Sequence, residues 1–411
     1  MSFSTLGLHP SLLETLAALG YAEPTAVQRA AIPAALAGAD LLVSSQTGSG
    51  KTAAFMLPAL QRLFAAQAAA PRGNGPRVPV LAPTRELALQ VQKATHGYGR
   101  GQRLRTACLV GGMPYGLQLK ALAKPVDIVI ATPGRLKDHL ERGRLDLARV
   151  EILVLDEADR MLDMGFQEDI DAIVARTPAA RQTLLFSATL EGVVGRLARR
   201  VTREPKRIDI EPSKTRAAAI EQHALFADNF AHKTRLLDVL LRDVDLKQAL
   251  VFTATKRSAE DLSVSLVRQG FSAGALHGDM RQRERNQTLQ HLRDGRMRVL
   301  VATDVAARGI DVPGISHVIN FDAPRQAEDY VHRIGRTGRA GRSGTAISLV
   351  NAREHAQVRT IERFTAQPIP VTVIEGLEPK VRAFSKPSGP ARRPAGRSFS
   401  KPSGRSFRQG R

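Results

Sequence analysis

The stretch Leu41-Leu-Val-Ser-Ser-Gln-Thr-Gly-Ser-Gly-Lys-Thr52 joins a short apolar run to a glycine-rich turn and the start of a helical pattern. Glycines let backbone N–H groups wrap a phosphate, a lysine reaches the terminal phosphates of a nucleotide, and a threonine hydroxyl faces Mg²⁺. The stretch therefore predicts a nucleotide-phosphate loop. Its predicted ligand-binding residues are Gln46, Thr47, Gly48, Ser49, Gly50, Lys51 and Thr52. Ser45 stands where alanine or glycine is usual in this motif, and its small hydroxyl should fit.

Short β-branched runs alternate with helical patterns on both sides of this loop, which is typical of a parallel sheet covered by helices. The predicted strands of the first half are 41–44, 78–82, 106–110, 127–131, 152–155 and 183–186. The alternation stops at a charged, proline-containing stretch near 211–216 and then resumes. The predicted strands of the second half are 250–253, 274–277, 298–302, 317–321 and 346–350. A chain of 411 residues has room for two such α/β domains.

The overall composition favours a globular protein with a polyanionic partner. Hydrophobic residues make up 43% of the chain, and Lys plus Arg outnumber Asp plus Glu by 60 to 39, for a net charge of +21. Nucleic acid is the first partner to consider. The single cysteine, Cys108, excludes a disulfide-stapled scaffold and a cysteine-rich zinc site. Without a leader-like segment or a long apolar window, we expect a cytoplasmic protein and no membrane partner.

The C-terminal stretch is compositionally distinct. From Lys380 to Arg411 it has ten Lys or Arg and no acid, and Phe-Ser-Lys-Pro-Ser-Gly occurs at 384–389 and again at 399–404. This composition predicts a disordered arm that binds phosphates, with Phe384, Phe399 and Phe407 able to stack on bases. A tail that only improves solubility is the alternative.

A cluster of acids follows the apolar run 152–155, as Asp156-Glu-Ala-Asp159. Ligands of parallel sheets bind at the carboxyl ends of strands, so these side chains should meet the phosphate loop there. We expect Asp156 to hold Mg²⁺ together with Thr52, and Glu157 to orient an attacking water.

Four motifs in fixed order give the chain its resemblance to a known family. They are the phosphate loop, Asp156-Glu-Ala-Asp159, Ser187-Ala-Thr189 and His332-Arg-Ile-Gly-Arg-Thr-Gly-Arg339. Together they resemble the DEAD-box RNA helicases, and the basic C-terminal arm is most similar to bacterial RhlE-type members. Further clusters fit the same family: Gly20 to Gln28, Pro83 to Ala88, Gly111-Gly112, Thr132 to Arg135, Val251 to Thr253 and Thr303 to Asp311.

The resemblance implies a fold and a domain plan. It implies two tandem RecA-like domains, each a mainly parallel sheet flanked by helices. The expected divisions are an ATP-binding domain at 1–210 with an adenine-recognition segment at 3–28, a linker at 211–219, a second helicase domain at 220–375 and a disordered RNA-binding tail at 376–411.

The resemblance also assigns residues to the ATP site. Gln28 would read the adenine edge, because an amide offers both a donor and an acceptor. Tyr21 would stack on the base, with Phe3 bracing it and Thr25 in the same segment. Asp311 would contact the ribose. The implied catalytic residues are Lys51, Asp156, Glu157 and the arginine fingers Arg336 and Arg339, which act only when the two domains close.

The family resemblance places RNA along a second set of loops. The implied contacts are Thr84, Arg85, Gly111, Gly112, Thr132, Arg135, Thr303 and Asp304. Most would touch sugar and phosphate, so binding should be largely independent of base sequence. The residues implied in coupling ATP state to strand separation, or in linking the domains, are Asp159, Ser187, Thr189 and His332.

The implied activity is ATP-dependent unwinding of short RNA duplexes, driven by closure of the two domains over ATP and RNA. Protein partners from ribosome assembly or RNA degradation fit the family. Two alternatives remain open at this point: an ATP-gated RNA clamp or chaperone without catalysis, and a DNA translocase on the same two-domain scaffold.

Overall fold

The structure is a computed structural model that describes residues 2–45, 48–65, 75–210, 220–307, 310, 312, 314–338 and 343–380. Several predicted features lie outside these described residues. They are Gln46, Thr47, Asp311, Arg339, the linker 211–219 and the repeats of the C-terminal stretch.

The first sheet has seven parallel strands. They are β1 (Leu41–Ser44), β2 (Val78–Leu81), β3 (Thr106–Leu109), β4 (Ile128–Ala131), β5 (Ile152–Leu155), β6 (Gln182–Ser187) and β7 (Lys206–Asp209). Their order across the sheet is β3-β4-β2-β5-β6-β1-β7. Strands β2, β4, β5 and β6 are buried along their whole length, which is why they read as continuous apolar runs in the sequence.

Helices cover both faces of this sheet. A 3₁₀ helix (Phe3–Leu6) and α1 (Pro10–Ala18), α2 (Ala26–Leu36), α3 (Lys51–Ala65) and α4 (Arg85–Tyr98) pack on one face. The remaining helices are α5 (Tyr115–Leu122), α6 (Pro133–Glu141), α7 (Ala158–Asp163), α8 (Gln167–Val174) and α9 (Gly192–Val201). Alternate strand residues feed two separate cores, with Val154 on the first face and Leu153 on the second.

The second sheet also has seven parallel strands. They are β8 (Ile220–Phe226), β9 (Ala249–Phe252), β10 (Ala273–Leu276), β11 (Val299–Ala302), β12 (His317–Asn320), β13 (Gly344–Val350) and β14 (Val371–Thr372). The associated helices are α10 (Phe230–Leu241), α11 (Lys256–Arg268), α12 (Gln282–Arg293), α13 (Asp304–Ala307), α14 (Ala327–Ile334) and α15 (His355–Thr365).

The strand order of the second sheet repeats that of the first, position by position: β10-β11-β9-β12-β13-β8-β14. The chain is therefore a tandem pair of domains with one topology. The fold class predicted from the sequence is confirmed, and all eleven predicted strands are present within two residues at either end.

Three strands were not predicted. Strand β7 carries the mostly exposed Lys206-Arg-Ile-Asp209, the first half of β8 contains the polar run Glu221-Gln-His223, and β14 has only two residues. Strands β7 and β14 lie at the edges of their sheets, where no continuous apolar run is needed because only one neighbour pairs with them. The predicted tail began at 376, but Leu377 packs on the second domain and the Lys380 N–H donates to Asp228 Oδ2, 3.1 Å away.

Within the described residues, no helix is both long enough and apolar enough to cross a membrane.

Candidate nucleotide and nucleic-acid site

The phosphate loop is built between β1 and α3, as the sequence predicts. Gly48 and Gly50 have φ of 73° and 95°, a region that L side chains rarely adopt. A Cβ on Gly50 would lie 2.4 Å from Gln28 Nε2 and 3.0 Å from Thr25 Oγ1. Glycine at position 50 therefore lets the loop touch the segment that precedes it by more than twenty residues.

Thr25 and Gln28 form a reciprocal cap at the start of α2. The Thr25 N–H donates to Gln28 Oε1 at 2.9 Å, and the Gln28 N–H donates to Thr25 Oγ1 at 3.5 Å. Gln28 Nε2 also donates to the carbonyl of Gly50 at 3.1 Å. The amide oxygen and nitrogen can each make one more hydrogen bond, so Gln28 can hold the loop and still offer both groups to a base.

Three aromatic rings stand next to this cap. The Tyr21 ring meets Phe3 edge-on at 6.2 Å and Tyr98 edge-on at 5.8 Å, and the two tyrosine hydroxyls are 2.8 Å apart. Tyr21 is 36% exposed, while Phe3 is buried. Phe3 and Tyr98 thus fix the orientation of a tyrosine ring that is open to a ligand.

The acidic motif lies at the carboxyl end of β5, where Asp156 and Glu157 are buried. Burial raises the pKa of Asp156 above its usual range, and the positive charge of Lys51 opposes this increase. Glu157 has a left-handed backbone, with φ and ψ of 54°, an uncommon conformation for a non-glycine residue. It turns the chain sharply between the strand and α7. Lys51 is also buried, and its Nζ donates to the carbonyl of Ser45 at 3.3 Å.

The Asp156 carboxylate has the character of a metal ligand. Its Oδ1 is buried and makes no hydrogen bond within the described residues. Buried polar atoms normally have partners, so an oxygen of this kind beside Lys51 fits a site completed by a cation. Thr52, the second predicted Mg²⁺ ligand, lies in the first turn of α3.

The coupling motif is joined directly to the acidic motif. The Asp159 N–H donates to Ser187 Oγ at 3.3 Å, and the Ala188 N–H donates to Asp159 Oδ2 at 3.0 Å. Ser187 thus lies beside Asp159, as predicted from the sequence. Thr189 instead lines the cleft between the domains, opposite His332.

In the second domain, the arginine motif begins at His332 in the last turn of α14 and continues into the segment that follows the helix. Arg336 is buried, and its guanidinium donates to the carbonyl oxygens of His332 at 3.1 Å and Ile310 at 3.0 Å. Arg333 binds both oxygens of Asp304, at 2.6 and 2.7 Å. Asp304 is one of the RNA contacts that the family resemblance implies. Because both oxygens of its carboxylate accept hydrogen bonds from Arg333, the contact of Asp304 with RNA would have to come from its backbone.

The other predicted RNA contacts of the first domain cluster at the ends of β2, β3 and β4. Thr84 caps α4, the Arg85 Nη1 donates to the carbonyl of Gly111 at 3.4 Å, and a Cβ on Gly112 would lie 3.2 Å from Arg85. Arg135 donates to the carbonyl of Met113 at 3.4 Å. Thr132 precedes α6, and in the second domain Thr303 precedes α13.

An ion pair and a cavity between the two domains were not predicted from the sequence. Arg285 Nε lies 2.6 Å from Glu86 Oε1, and its Nη2 donates to the carbonyl of Ala306 at 2.7 Å. A cavity of about 250 Å³ also lies between the domains, lined by Ser45 and Thr189 on one side and by His332 and Thr337 on the other. An ion pair between residues far apart in the chain leaves no local pattern in the sequence, so no motif could have predicted the Arg285–Glu86 pair.

The fold and these clusters define a two-domain, nucleotide-dependent helicase. Family models for "DEAD/DEAH box helicase" and "Helicase conserved C-terminal domain" match residues 25–197 and 232–341. The chain belongs to the DEAD-box helicase family.

Known helicases are similar to this chain in sequence or in structure along most of its length. The ATP-dependent RNA helicase SrmB of Escherichia coli is 44% identical over 94% of this chain and 86% of its own length. The ATP-dependent RNA helicase DeaD of Escherichia coli is 46% identical over 92% of this chain and 59% of its own length. The structure of Saccharomyces cerevisiae Dbp5 bound to RNA and ADP BeF3 superposes with a TM-score of 0.80, at 32% identity, over 91% of this chain and 95% of that chain. The RhlE-type subdivision stays a prediction.

Proposed function

We propose that this chain is an ATP-dependent RNA helicase, which hydrolyses ATP when RNA is bound and opens short duplexes by closing its two domains. One observation carries the proposal. The phosphate loop and the arginine motif line one interdomain cavity, through Ser45 and His332. Arg160, the residue after the acidic motif, lines a second interdomain cavity together with Arg336. The superposition on an RNA-bound and nucleotide-bound relative includes both domains, which supports a closed arrangement.

The residue roles in this proposal are those that the family resemblance implies. Tyr21 and Gln28 bind the adenine, with Phe3 and Thr25 holding them in place. The phosphate loop binds the triphosphate, and Asp311 takes the ribose. Asp156 and Thr52 would hold Mg²⁺, which neutralises phosphate charge when it is bound. Glu157 orients the water.

The second domain completes the site on closure. Arg336 and Arg339 stabilise negative charge on the transferred phosphoryl group. Because Arg336 belongs to the second domain, an open enzyme would lack this stabilisation and hydrolyse ATP slowly. ATP and RNA each favour the closed state, so each raises the affinity of the other by the same factor.

RNA is proposed to cross the loops after β2, β3 and β4 and the start of α13. Hydroxyls, backbone N–H groups and the guanidinium groups of Arg85 and Arg135 suit the sugar-phosphate backbone, so binding should tolerate any sequence. The hydrogen bond from the Asp159 N–H to Ser187 Oγ connects the acidic motif of the nucleotide site to the end of β6. A cytoplasmic location, and protein partners from ribosome assembly or RNA degradation, remain predictions.

ATP hydrolysis tests this function directly. The purified protein is assayed with no nucleic acid, with single-stranded RNA and with single-stranded DNA, beside Glu157→Gln and the exposed control Glu141→Gln. We expect stimulation by RNA alone, loss of at least about 100-fold in Glu157→Gln, and wild-type activity in the control. No hydrolysis in any condition would favour the RNA clamp. Equal stimulation by DNA, with displacement of long DNA duplexes, would favour the translocase.

A further inference from the structure

Arg160, the residue after the acidic motif, is the most deeply buried arginine side chain of the described chain. Only 1% of its surface is exposed, and its Nη1 lies 2.9 Å from Glu157 Oε2. None of its three guanidinium nitrogens makes a well-directed hydrogen bond within the described residues. A buried arginine is costly unless its charge is compensated, so this position calls for an explanation.

The second domain contributes to the burial of Arg160. A cavity of about 10 Å³ beside it, at the lower limit for one water, is lined by Asp304, Asp329, His332 and Arg336 of the second domain. So small a space cannot hydrate a guanidinium. The carboxylate of Glu157, in the same domain, therefore compensates the charge of Arg160, and no other ion pair of Arg160 is present within the described residues.

We propose that Arg160 is a positioning residue that makes hydrolysis depend on domain closure. This inference rests on the proposed function of Glu157. In an open enzyme the Arg160–Glu157 pair would be in water, where an ion pair is weak and its geometry loose. Closure removes the water, and the same pair becomes a strong constraint on the carboxylate.

The constraint has a definite chemical consequence. Arg160 lies against Glu157 Oε2 and so limits the directions in which the carboxylate can meet the attacking water. The left-handed backbone of Glu157 limits where its side chain can point, and the Arg160 contact three residues later selects one orientation. Arg160 does not itself touch ATP in this proposal, so its effect must pass through Glu157.

The test compares Arg160→Gln and Arg160→Lys with Arg200→Gln, which removes an exposed arginine of the same domain that pairs with Asp171. We expect Arg160→Gln to lower the RNA-stimulated kcat by about 10- to 100-fold while KM for ATP changes less than about threefold. Arg160→Lys should recover part of the rate, and Arg200→Gln should match the wild type. Thermal unfolding of each variant checks that it is folded.

A double-mutant cycle separates positioning from a merely structural effect. If Arg160 acts through Glu157, adding Arg160→Gln to Glu157→Gln lowers kcat no further. Full additivity, or a wild-type rate in Arg160→Gln, would overturn the inference while leaving the helicase proposal intact. If instead the wild type shows no RNA-stimulated hydrolysis, it is the proposed function that fails.

Discussion

At the scale of single residues, Gly50 is the position where a one-carbon change should do most harm. Its φ of 95° disfavours any side chain, and an added Cβ would stand 2.4 Å from Gln28 Nε2. We expect Gly50→Ala to weaken ATP binding by at least about tenfold, because strain of about 1–3 kcal/mol displaces either the loop or the adenine-binding amide. Titration with a fluorescent ATP analogue measures the loss.

The matched control for Gly50 is Gly116→Ala in α5. An added Cβ there meets nothing within 4 Å, and alanine suits a helix better than glycine. This variant should bind ATP as the wild type does and unfold at the same or a higher temperature. Wild-type affinity in Gly50→Ala would contradict the proposed contact between loop and amide.

The sequence could predict those site residues whose chemistry is local. The phosphate loop and the acidic motif each follow a strand, so their side chains had to meet at the carboxyl edge of the sheet. Arg160 and Arg333 could not be recognised in this way. Each owes its role to a partner that only the folded chain brings near, Glu157 in a strained turn for one and Asp304 for the other.

At the scale of elements, the packing of α5 against α6 fixes the loop that follows β3. The His139 ring of α6 stacks on Tyr115 at 4.6 Å, and its Nε2 is 3.3 Å from Gln118 Oε1. Gln118 Nε2 in turn donates to the carbonyls of Val110 and Met113. This buried chain of contacts holds the segment that carries Gly111 and Gly112.

The buried ring makes the stability of the first domain sensitive to acid. Burial lowers the pKa of His139 in the folded state, although Asp138 opposes the shift. The unfolded chain therefore binds the extra proton first, so stability is lost as the pH falls below about 6.5. His139→Phe keeps a stacking ring but cannot titrate. We expect it to cost about 1 kcal/mol at neutral pH, for the lost contact with Gln118.

Thermal unfolding between about pH 7.5 and about pH 5.5 checks this expectation. The fall in Tm should be smaller in His139→Phe than in the wild type. Part of the fall will remain, because burial also lowers the pKa of His317 in the second domain. An unchanged pH dependence would show that His139 is already as easily protonated in the folded chain as in the unfolded one.

Element prediction from the sequence succeeded where burial imposed a pattern and failed where it did not. Strand β5 is Ile-Leu-Val-Leu with every residue buried, whereas only one residue of β7 is buried. A continuous apolar run in the sequence indicates that both faces of a strand are covered. It does not indicate whether the strand is paired by hydrogen bonds. An edge strand such as β7 is paired to β1 all the same.

At the scale of the whole molecule, the C-terminal stretch should add RNA affinity without adding catalysis. Truncation after Lys380 preserves the packing of Leu377 and removes nine of the ten cations from 380 to 411. Because each neutralised phosphate releases counterions, we expect weaker RNA binding with a shallower dependence on salt. The rate of ATP hydrolysis at saturating RNA should be unchanged. Equal affinity and equal salt slope would leave the stretch a role in solubility alone.

The ion pair between Glu86 and Arg285 should help to hold the two domains closed. Both side chains are largely buried, at 14% and 11% exposure, and removing one partner of such a pair leaves a buried charge uncompensated. We expect Glu86→Arg and Arg285→Glu each to lower RNA-stimulated hydrolysis by about tenfold or more. Energy transfer between dyes on the two domains, with RNA and a non-hydrolysable ATP analogue, should report a smaller closed fraction.

The exchanged pair, Glu86→Arg with Arg285→Glu, decides between a lost attraction and a misfolded domain. Opposite charges face each other again in this double variant, so closure and hydrolysis should partly return. Recovery stays partial because the glutamate at 285 cannot donate to the carbonyl of Ala306. The same exchange at Asp171 and Arg200, an exposed pair within one domain, should change neither measurement. Single variants that close and hydrolyse as the wild type does would show that closure is held by the ligands alone.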